Sequence, residues 1–227
     1  MTAHARTTRP VRSWRGVSAT DRTSERRQRL IEAGLELFAT KGYANSSVRE
    51  VCREAGLTER YFYESFSDRQ ALLKALADGI VEDFLAAVVP ILPLLESDLP
   101  RATHEGAAAF VASLADDPRR ARVLLVESVG VSPEAEDHRR AVFTHLVGFL
   151  REAAALAFGG WVRDSAEFEL LARVVIGGAQ ELLVAYVRGE LRIDRDELVA
   201  SLAQLFTSAG PIVAALADQD PFPNKEP

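Results

Sequence analysis

The sequence predicts an all-α fold of about nine helices in two units, on three observations. Apolar residues recur at helical spacing along most of the chain. Proline follows Asp117 and Ser132, the order expected at helix starts. The net charge of −6 is divided unevenly, with +5 in residues 1–74 and −11 in residues 75–227. A basic N-terminal module joined to an acidic body is therefore expected, which favours a nucleic-acid partner.

Residues 1–20 predict a disordered basic arm, since arginine recurs there every three residues without apolar periodicity. A solvated tail and an arm that enters a minor groove remain alternatives. A first helix is predicted over about 21–40. Its core-facing residues are Leu30, Gly34, Leu37 and Phe38. Another side carries Arg22, Arg26 and Arg29, which could follow a phosphate backbone or form a solvated face.

Residues 47–66 predict a helix-turn-helix. Ser47 and Glu50 have the spacing of a capping box, in which the hydroxyl and the carboxylate each bond the other residue's backbone N–H. Gly56 suits the left-handed conformation that ends a helix, and Thr58 is predicted to cap the next one. Two short helices around a Gly-containing corner are typical of this motif, although an ordinary helical hairpin is the alternative.

The second helix of this motif is predicted to face a partner. Phe62 and Phe66 share one side and should pack inward. The outward residues are Thr58, Glu59, Arg60, Tyr61 and Tyr63. Arginine offers a bidentate fork to guanine, and a tyrosine hydroxyl suits a phosphate oxygen.

A fourth helix is predicted from a Ser67 cap to Pro90, a rod of roughly 30 Å that leads from the basic module into the body. Arg69 stands at its start, placed to touch DNA. Further helices are predicted over about 99–115, 118–128, 133–158, 164–189 and 194–209. Asp164 and Asp194 are the expected caps of the last two, and Pro211 is expected to end the last one.

The last two long helices are unusually apolar, so part of their surface is predicted to pair with a second copy across a two-fold axis. Gly177 and Gly178 would allow a close helix–helix approach there. Residues 218–227 predict a polar, Pro-rich, disordered tail.

No catalytic residue, metal site or cofactor is predicted. A phosphate-binding loop, a nucleophile elbow and metal-ligand spacing are all missing from the sequence. His138 and His145 are seven residues apart, about 10 Å along one helix, too far to share an ion. Cys52 is expected to be a small buried hydrophobe. A soluble cytoplasmic protein without a membrane partner is expected, because the apolar run 84–95 is too short to span a bilayer.

Polar residues within apolar helices are the candidates for an effector pocket: Glu127, His145 and Gln180. The alternative for each is a core group whose hydrogen bonds are satisfied structurally.

Residues 22–76 resemble the DNA-binding domain of the TetR family of transcriptional regulators. The matching features are the Arg-rich first helix ending in FATKGY (38–43), the segment SSVREVCREAGLT (46–58), and Tyr63, Phe66, Arg69 and Leu72 at three-residue spacing. Cys52 replaces the usual alanine and Arg69 the usual lysine. Arg60 and Tyr61 replace a small, polar pair, a departure that bears on the operator sequence and not on the fold.

The resemblance implies a homodimeric, ligand-responsive transcriptional repressor that binds duplex DNA. Its DNA-binding domain would cover 21–80, and its regulatory and dimerisation domain would cover 81–217. Phosphates would be held by Ser47, Tyr63 and Arg69. Base edges would be faced by Arg49, Thr58, Glu59, Arg60 and Tyr61.

The two modules would enter successive major grooves about 34 Å apart. A ligand cavity is implied among the middle helices and a dimer contact in the last two. The rival interpretation is a helical carrier of hydrophobic ligands, or an interaction protein, that does not bind DNA.

Overall fold

The computed structural model describes residues 19–218, and within that range the chain forms helices and no strand. The predicted arm and tail therefore lie outside the described residues, apart from their innermost positions. The α-helices are α1 (Ala19–Lys41), α2 (Val48–Ala55), α3 (Glu59–Ser65), α4 (Arg69–Val88), α5 (Leu94–Ser97), α6 (Leu99–Ala115), α7 (Pro118–Arg122), α8 (Pro133–Phe158), α9 (Ala166–Val187) and α10 (Arg195–Asp218). The prediction of an all-α fold is confirmed.

The head, which we define as α1 to α3 with the first turns of α4, has its own apolar core. The buried side chains include Leu30 and Phe38 of α1, Val51 of α2 and Phe62 of α3. Val123, which follows α7, also enters this core and is fully buried. One residue of the body is thus part of the head's interior.

Three predicted caps differ from the observed ones. Thr58 occupies the N-cap position of α3, but its side chain makes no capping hydrogen bond. Asp68, not Ser67, caps α4, and its Oδ1 accepts from the N–H of Ala71 at 2.8 Å. Ser165, not Asp164, caps α9. Adjacent residues that can both accept a hydrogen bond compete for such a position, and the helix start decides which one is used.

The prediction that α10 ends at Pro211 is wrong, since the helix continues through this proline. Val213 is only 2% exposed and packs in a cluster with Val147, Ala154 and Phe168. A Cβ at Gly210 would lie 3.6 Å from the ring of Phe158. Burial of this turn offsets the hydrogen bond that proline removes.

The chain between α7 and α8 contains a π-helical turn, Val123–Glu127, where a continuous α-helix over 118–128 was predicted. Such turns are rare and often occur at functional sites. The turn lies where the head meets the body.

By length and composition alone, three stretches of the described chain could cross a membrane: Pro133–Phe158, Ala166–Val187 and Arg195–Ala215. Each also packs against the rest of the body and contributes buried residues to its core. Their apolar character therefore has a use within the fold.

Candidate nucleic-acid interface and effector cavity

The start of α2 is held by the predicted capping box. The N–H of Ser47 donates to Glu50 Oε2 at 3.0 Å, and the N–H of Glu50 donates to Ser47 Oγ at 3.3 Å. Lys41 also donates to Glu50. Hydrogen bonds from Lys41 and Ser47 lower the pKa of Glu50 to about 2. The exposed Ser47 is therefore fixed at the N-terminus of α2, where a phosphate could be bound.

The corner between α2 and α3 depends on Gly56, which has a left-handed backbone with φ of 62°. The N–H groups of Gly56 and Leu57 donate to the carbonyls of Arg53 and Cys52. Arg29 of α1 donates to the carbonyls of Ala55 and Gly56. A side chain at position 56 would strain the backbone and meet the guanidinium of Arg29 at 2.9 Å.

Four of the five predicted outward residues at α3 are exposed: Thr58, Glu59, Arg60 and Tyr63. The side chain of Arg60 is 83% exposed and pairs with Glu64 one turn later, Nε to Oε1 at 3.0 Å. Tyr63 is 58% exposed. Tyr61 differs, because it is half-buried and the guanidinium of Arg26 lies 4.5 Å from its ring centroid.

Arginines of α1 contact the rest of the head through their side chains. Arg26 stacks on Tyr61, Arg27 lies 4.8 Å from the ring centroid of Phe66, and Arg29 bonds the corner after α2. The sequence suggested a phosphate-facing row or a solvated face for Arg26 and Arg29. The structure shows that both side chains contact the helix-turn-helix, and Arg29 is also exposed.

Arg69 is placed between the head's first loop and α4. Its Nη1 donates to the carbonyls of Tyr43 and Ser46, and its guanidinium lies 4.9 Å from the ring centroid of Tyr43. Arg69 is half-buried. The residue predicted to hold a phosphate is thus also a brace for the loop that leads into α2.

On α2 the structure exposes Arg49, as predicted, and also Arg53, which sequence reasoning did not single out. The two arginines are four positions apart and therefore lie on one helix face. The buried Val51, Cys52 and Ala55 mark the opposite side. The same periodicity could have identified Arg53.

Burial raises the pKa of the Cys52 thiol, which disfavours its reactive thiolate.

The body contains a cavity of about 690 Å³ between α4, α6, α8, α9 and α10. Its wall is dominated by apolar side chains, including seven of the chain's eleven phenylalanines. These are Phe84, Phe110, Phe143, Phe149, Phe158, Phe168 and Phe206. Pockets of this size and character bind small organic molecules.

Of the three predicted effector residues, only Gln180 lines this cavity. His145 is exposed and borders a groove on the outer side of α8. Glu127 faces the head, where its Oε2 accepts from the N–H of Tyr43 at 2.9 Å. Their positions correct the prediction, because the helix face that each occupies is decided by packing between elements and not by local composition.

The π turn contacts the cavity and the head at once. Leu124 and Leu125 line the cavity, whereas Val123 belongs to the head core and Glu127 bonds the loop before α2. A second link joins Arg119 of α7 to Glu32 and Glu36 of α1 at 2.9 Å each.

The polar lining of the cavity is concentrated where α4 and α8 begin. Gln70 Nε2 donates to Ser132 Oγ at 3.0 Å, which joins the two helix starts. One turn or two further on, His138 Nε2 lies 2.9 Å from Asp78 Oδ1. Lys74 lines the cavity at this end and was not predicted. Lys74 shares one helical stripe with Gln70, Ala77 and Val81, and this spacing in the sequence could have predicted that it lines the cavity.

The family model for bacterial regulatory proteins of the tetR family matches residues 30–76. An HTH-type transcriptional regulator of Bacillus subtilis, YerO, itself uncharacterized, is 23% identical over 188 residues, which cover 80% of this chain and 63% of YerO. The chain thus spans less than two thirds of that curated relative.

Solved structures share the fold across most of the chain. The fatty acid degradation regulator FadR of Bacillus halodurans superposes with a TM-score of 0.67 at 19% identity, covering 80% of this chain and 94% of FadR. FadR of Bacillus subtilis, solved in complex with stearoyl-CoA, gives a TM-score of 0.65 at 19% identity and covers 80% and 97%.

Proposed function

Because the chain belongs to the TetR family of bacterial regulatory proteins, we propose that it is a homodimeric transcriptional repressor that a small-molecule effector releases from its operator. The observation that carries the proposal is the capped helix-turn-helix, whose outer face presents exposed arginines. It lies in the N-terminal part of the sequence, residues 1–74, which has a net charge of +5. The cavity behind this head supplies a place for the effector.

In the proposed complex, α3 enters the major groove. Arg60 would read guanine, with Arg49, Thr58 and Glu59 beside it at the base edges. Tyr63 would bind one phosphate through its hydroxyl, and the N-terminus of α2 at Ser47 would bind another. Tyr61 is proposed to contact DNA through its hydroxyl edge, since Arg26 covers its ring. Arg69 would add charge near the backbone while it braces the loop.

The proposed dimer interface is the outer face of α9 and α10. Leu170 and Val174 of α9 are 67% and 70% exposed, and Ile212 of α10 is 52% exposed. A Cβ at Gly177 or Gly178 would meet nothing within 4 Å in the described chain. The close approach expected at these glycines is therefore left for a second copy. Exposed apolar residues next to small ones suit a tight four-helix contact.

Effector release requires a ligand that binds one conformation better than the other. The π turn gives such a ligand a direct route to the head, because its residues touch both the cavity wall and the loop before α2. FadR of Bacillus subtilis, which shares the fold, binds stearoyl-CoA, and this supports a role for the cavity in ligand binding. A regulator of this kind would act in the cytoplasm.

Selection of binding sites from random duplex DNA tests the proposal. We expect a pseudo-palindromic sequence, bound with an affinity that falls steeply as salt is raised. The apolar cavity also suits a ligand carrier. Absence of any salt-dependent DNA binding by the folded protein would favour the carrier and refute the regulator.

A further inference from the structure

We propose that the cavity binds a long-chain acyl compound whose anionic head group pairs with Lys74 at the cavity mouth. A role of this ligand in regulation rests on the proposed function. Its binding rests only on the residues of the cavity. Three features carry it: where the cavity opens, how its polarity is distributed, and which of its charges are already paired.

The exposed part of the cavity lining lies at the end next to the head. Its exposed lining residues are Ser67, Asp68, Lys74 and Glu134, and all four lie at or near the starts of α4 and α8. The remaining lining residues are buried or half-buried. A ligand would therefore leave one end in contact with water at the corner between α3 and α4.

Beyond this mouth the lining is nearly all apolar. On α4 it changes from Gln70 and Lys74 to Ala77, Val81 and Phe84, and on α8 it is apolar from Val142 to the end of the helix at Phe158. The apolar part of α8 alone spans roughly 24 Å at 1.5 Å per residue. A long, narrow hydrocarbon chain fits such a wall better than a compact polar molecule does.

The acidic groups at the mouth, Asp68 and Glu134, accept hydrogen bonds from other groups of the described chain and form no ion pair with Lys74 there. Asp68 caps α4 through the N–H of Ala71. Hydrogen bonds to its own N–H, Ser132 and Gln70 lower the pKa of Glu134, which lies in the first turn of α8. Carboxylates at helix N-termini are partly neutralised by the helix dipole.

Arg139, the other arginine or lysine that lines the cavity, has a partner, whereas the buried Nε2 of His138 makes no hydrogen bond within the described part of the chain despite its closeness to Asp78. Arg139 donates to Glu136 at 2.5 and 3.0 Å. Between residues 19 and 218 the structure gives Lys74 neither a hydrogen bond nor an ion pair. An anionic head group would complete this site.

Calorimetric titration of the full chain tests both parts of the ligand. The probes are palmitate, palmitoyl-CoA, the neutral hexadecanol and the short octanoate, each below its micellar or solubility limit. We expect palmitate or palmitoyl-CoA to bind at least about fivefold more tightly than hexadecanol, as an ion pair at a water-exposed mouth allows. Comparison of the first two probes identifies the free acid or the thioester as the source of the acyl chain.

Three variants separate the contribution of the ligand's anionic head group from that of its acyl chain. Lys74→Gln should weaken binding of the anionic probe about fivefold and leave hexadecanol unchanged. Arg192→Gln, which removes an exposed charge remote from the cavity, is the matched control and should change neither. Ala157→Phe fills part of the apolar end and should weaken palmitate while octanoate binds as before.

Binding of both palmitate and palmitoyl-CoA no tighter than that of hexadecanol, or no effect of Lys74→Gln on the tighter anionic probe, would overturn the anionic head group. Failure of every long-chain probe to bind would overturn the acyl chain, even if the protein still binds selected operator DNA. Tight palmitate binding by a protein that binds no DNA would instead refute the proposed function and leave this inference standing.

Discussion

At the scale of single residues, the arginines of the head have two uses. Arg29 and Arg69 donate to backbone carbonyls, and Arg26 stacks on Tyr61. Arg49 and Arg60 are exposed. The planar fork of a guanidinium serves both purposes, since it can bond two carbonyls as readily as a base edge or a phosphate.

Replacing Arg60 by alanine should cost about 1–3 kcal/mol of operator affinity and relax preference at one symmetric pair of base positions. Site selection with the wild-type protein and Arg60→Ala in parallel measures this. Arg192→Ala serves as the control for loss of an exposed positive charge. Identical sequence preferences for wild type and Arg60→Ala would show that Arg60 does not read a base.

Arg69→Ala should have two effects. The slope of log affinity against log salt should fall by about one unit if Arg69 neutralises a phosphate. The melting temperature should also fall, because the carbonyls of Tyr43 and Ser46 lose their donor. Arg69→Lys should restore most of the slope but less of the stability. A lower melting temperature with an unchanged slope would make Arg69 a structural brace only.

The Glu50 carboxylate should make stability depend on acid pH. Its pKa of about 2 in the folded protein lies below the ordinary 4.5, so its contribution is present above pH 4.5 and is lost as the pH falls toward 2. Glu50→Gln should lower the melting temperature at pH 6, and its difference from wild type should shrink as the pH approaches 2. A difference that stays constant across this range would contradict the assigned cause.

At the scale of elements, α4 and the π turn connect the two parts of the molecule. α4 begins with Arg69 in the head and continues along the cavity wall to Val88. The π turn contributes Val123 to the head core and Glu127 to the loop before α2. Both elements touch the site where an effector would bind and the motif that would bind DNA, as a two-state coupling requires.

Glu127→Ala should loosen the loop before α2. Its carboxylate is the acceptor for the N–H of Tyr43, and a hydrogen bond to a charged group is worth about 1.5–3 kcal/mol. Hydrogen exchange at the Tyr43 amide should therefore accelerate about tenfold or more. Arg122→Ala, which removes only a contact of 3.4 Å to the same carboxylate, is the matched control. Equal exchange rates in wild type and Glu127→Ala would exclude this contact as a coupling element.

At the scale of the whole molecule, the charge asymmetry and the exposed apolar face have complementary roles. Residues 1–74 carry a net charge of +5, to which Arg6, Arg9, Arg12 and Arg15 contribute four, and the acidic body would limit nonspecific adhesion to DNA elsewhere on the surface. The outer face of α9 and α10 exposes large apolar side chains that a single copy does not cover. Pairing of two copies through this face would place two heads on one operator.

Leu170→Arg together with Val174→Arg should give a monomer with much weaker operator binding, because burial of two charges would disfavour the interface. Sedimentation measures the mass, and a gel-shift titration measures the affinity. Val89→Arg, a change at another exposed apolar residue just after α4, should leave the dimer intact. A monomeric wild-type protein that binds a palindrome tightly would refute the arrangement.

The all-helical fold, the helix-turn-helix and most helix starts were predictable from the sequence, because they depend on local chemistry. A capping box, a left-handed glycine and the spacing of apolar residues act within a few positions of each other, as Ser47, Gly56 and Phe62 illustrate. The exposed face of α3 follows from the same periodicity.

Only the tertiary structure decided which polar groups meet across elements. Glu127 and His145 had the composition of pocket residues, yet packing turned one toward Tyr43 and the other toward solvent. The contacts of Arg26 with Tyr61 and of Arg29 with the corner after α2 likewise depend on how α1 packs against the helix-turn-helix. The passage of α10 through Pro211 has the same origin, since Val213 is buried by the packing of α8, α9 and α10 and not by the chain around the proline. Local sequence determines where a helix can begin, whereas the free energy of packing determines what each of its faces contacts.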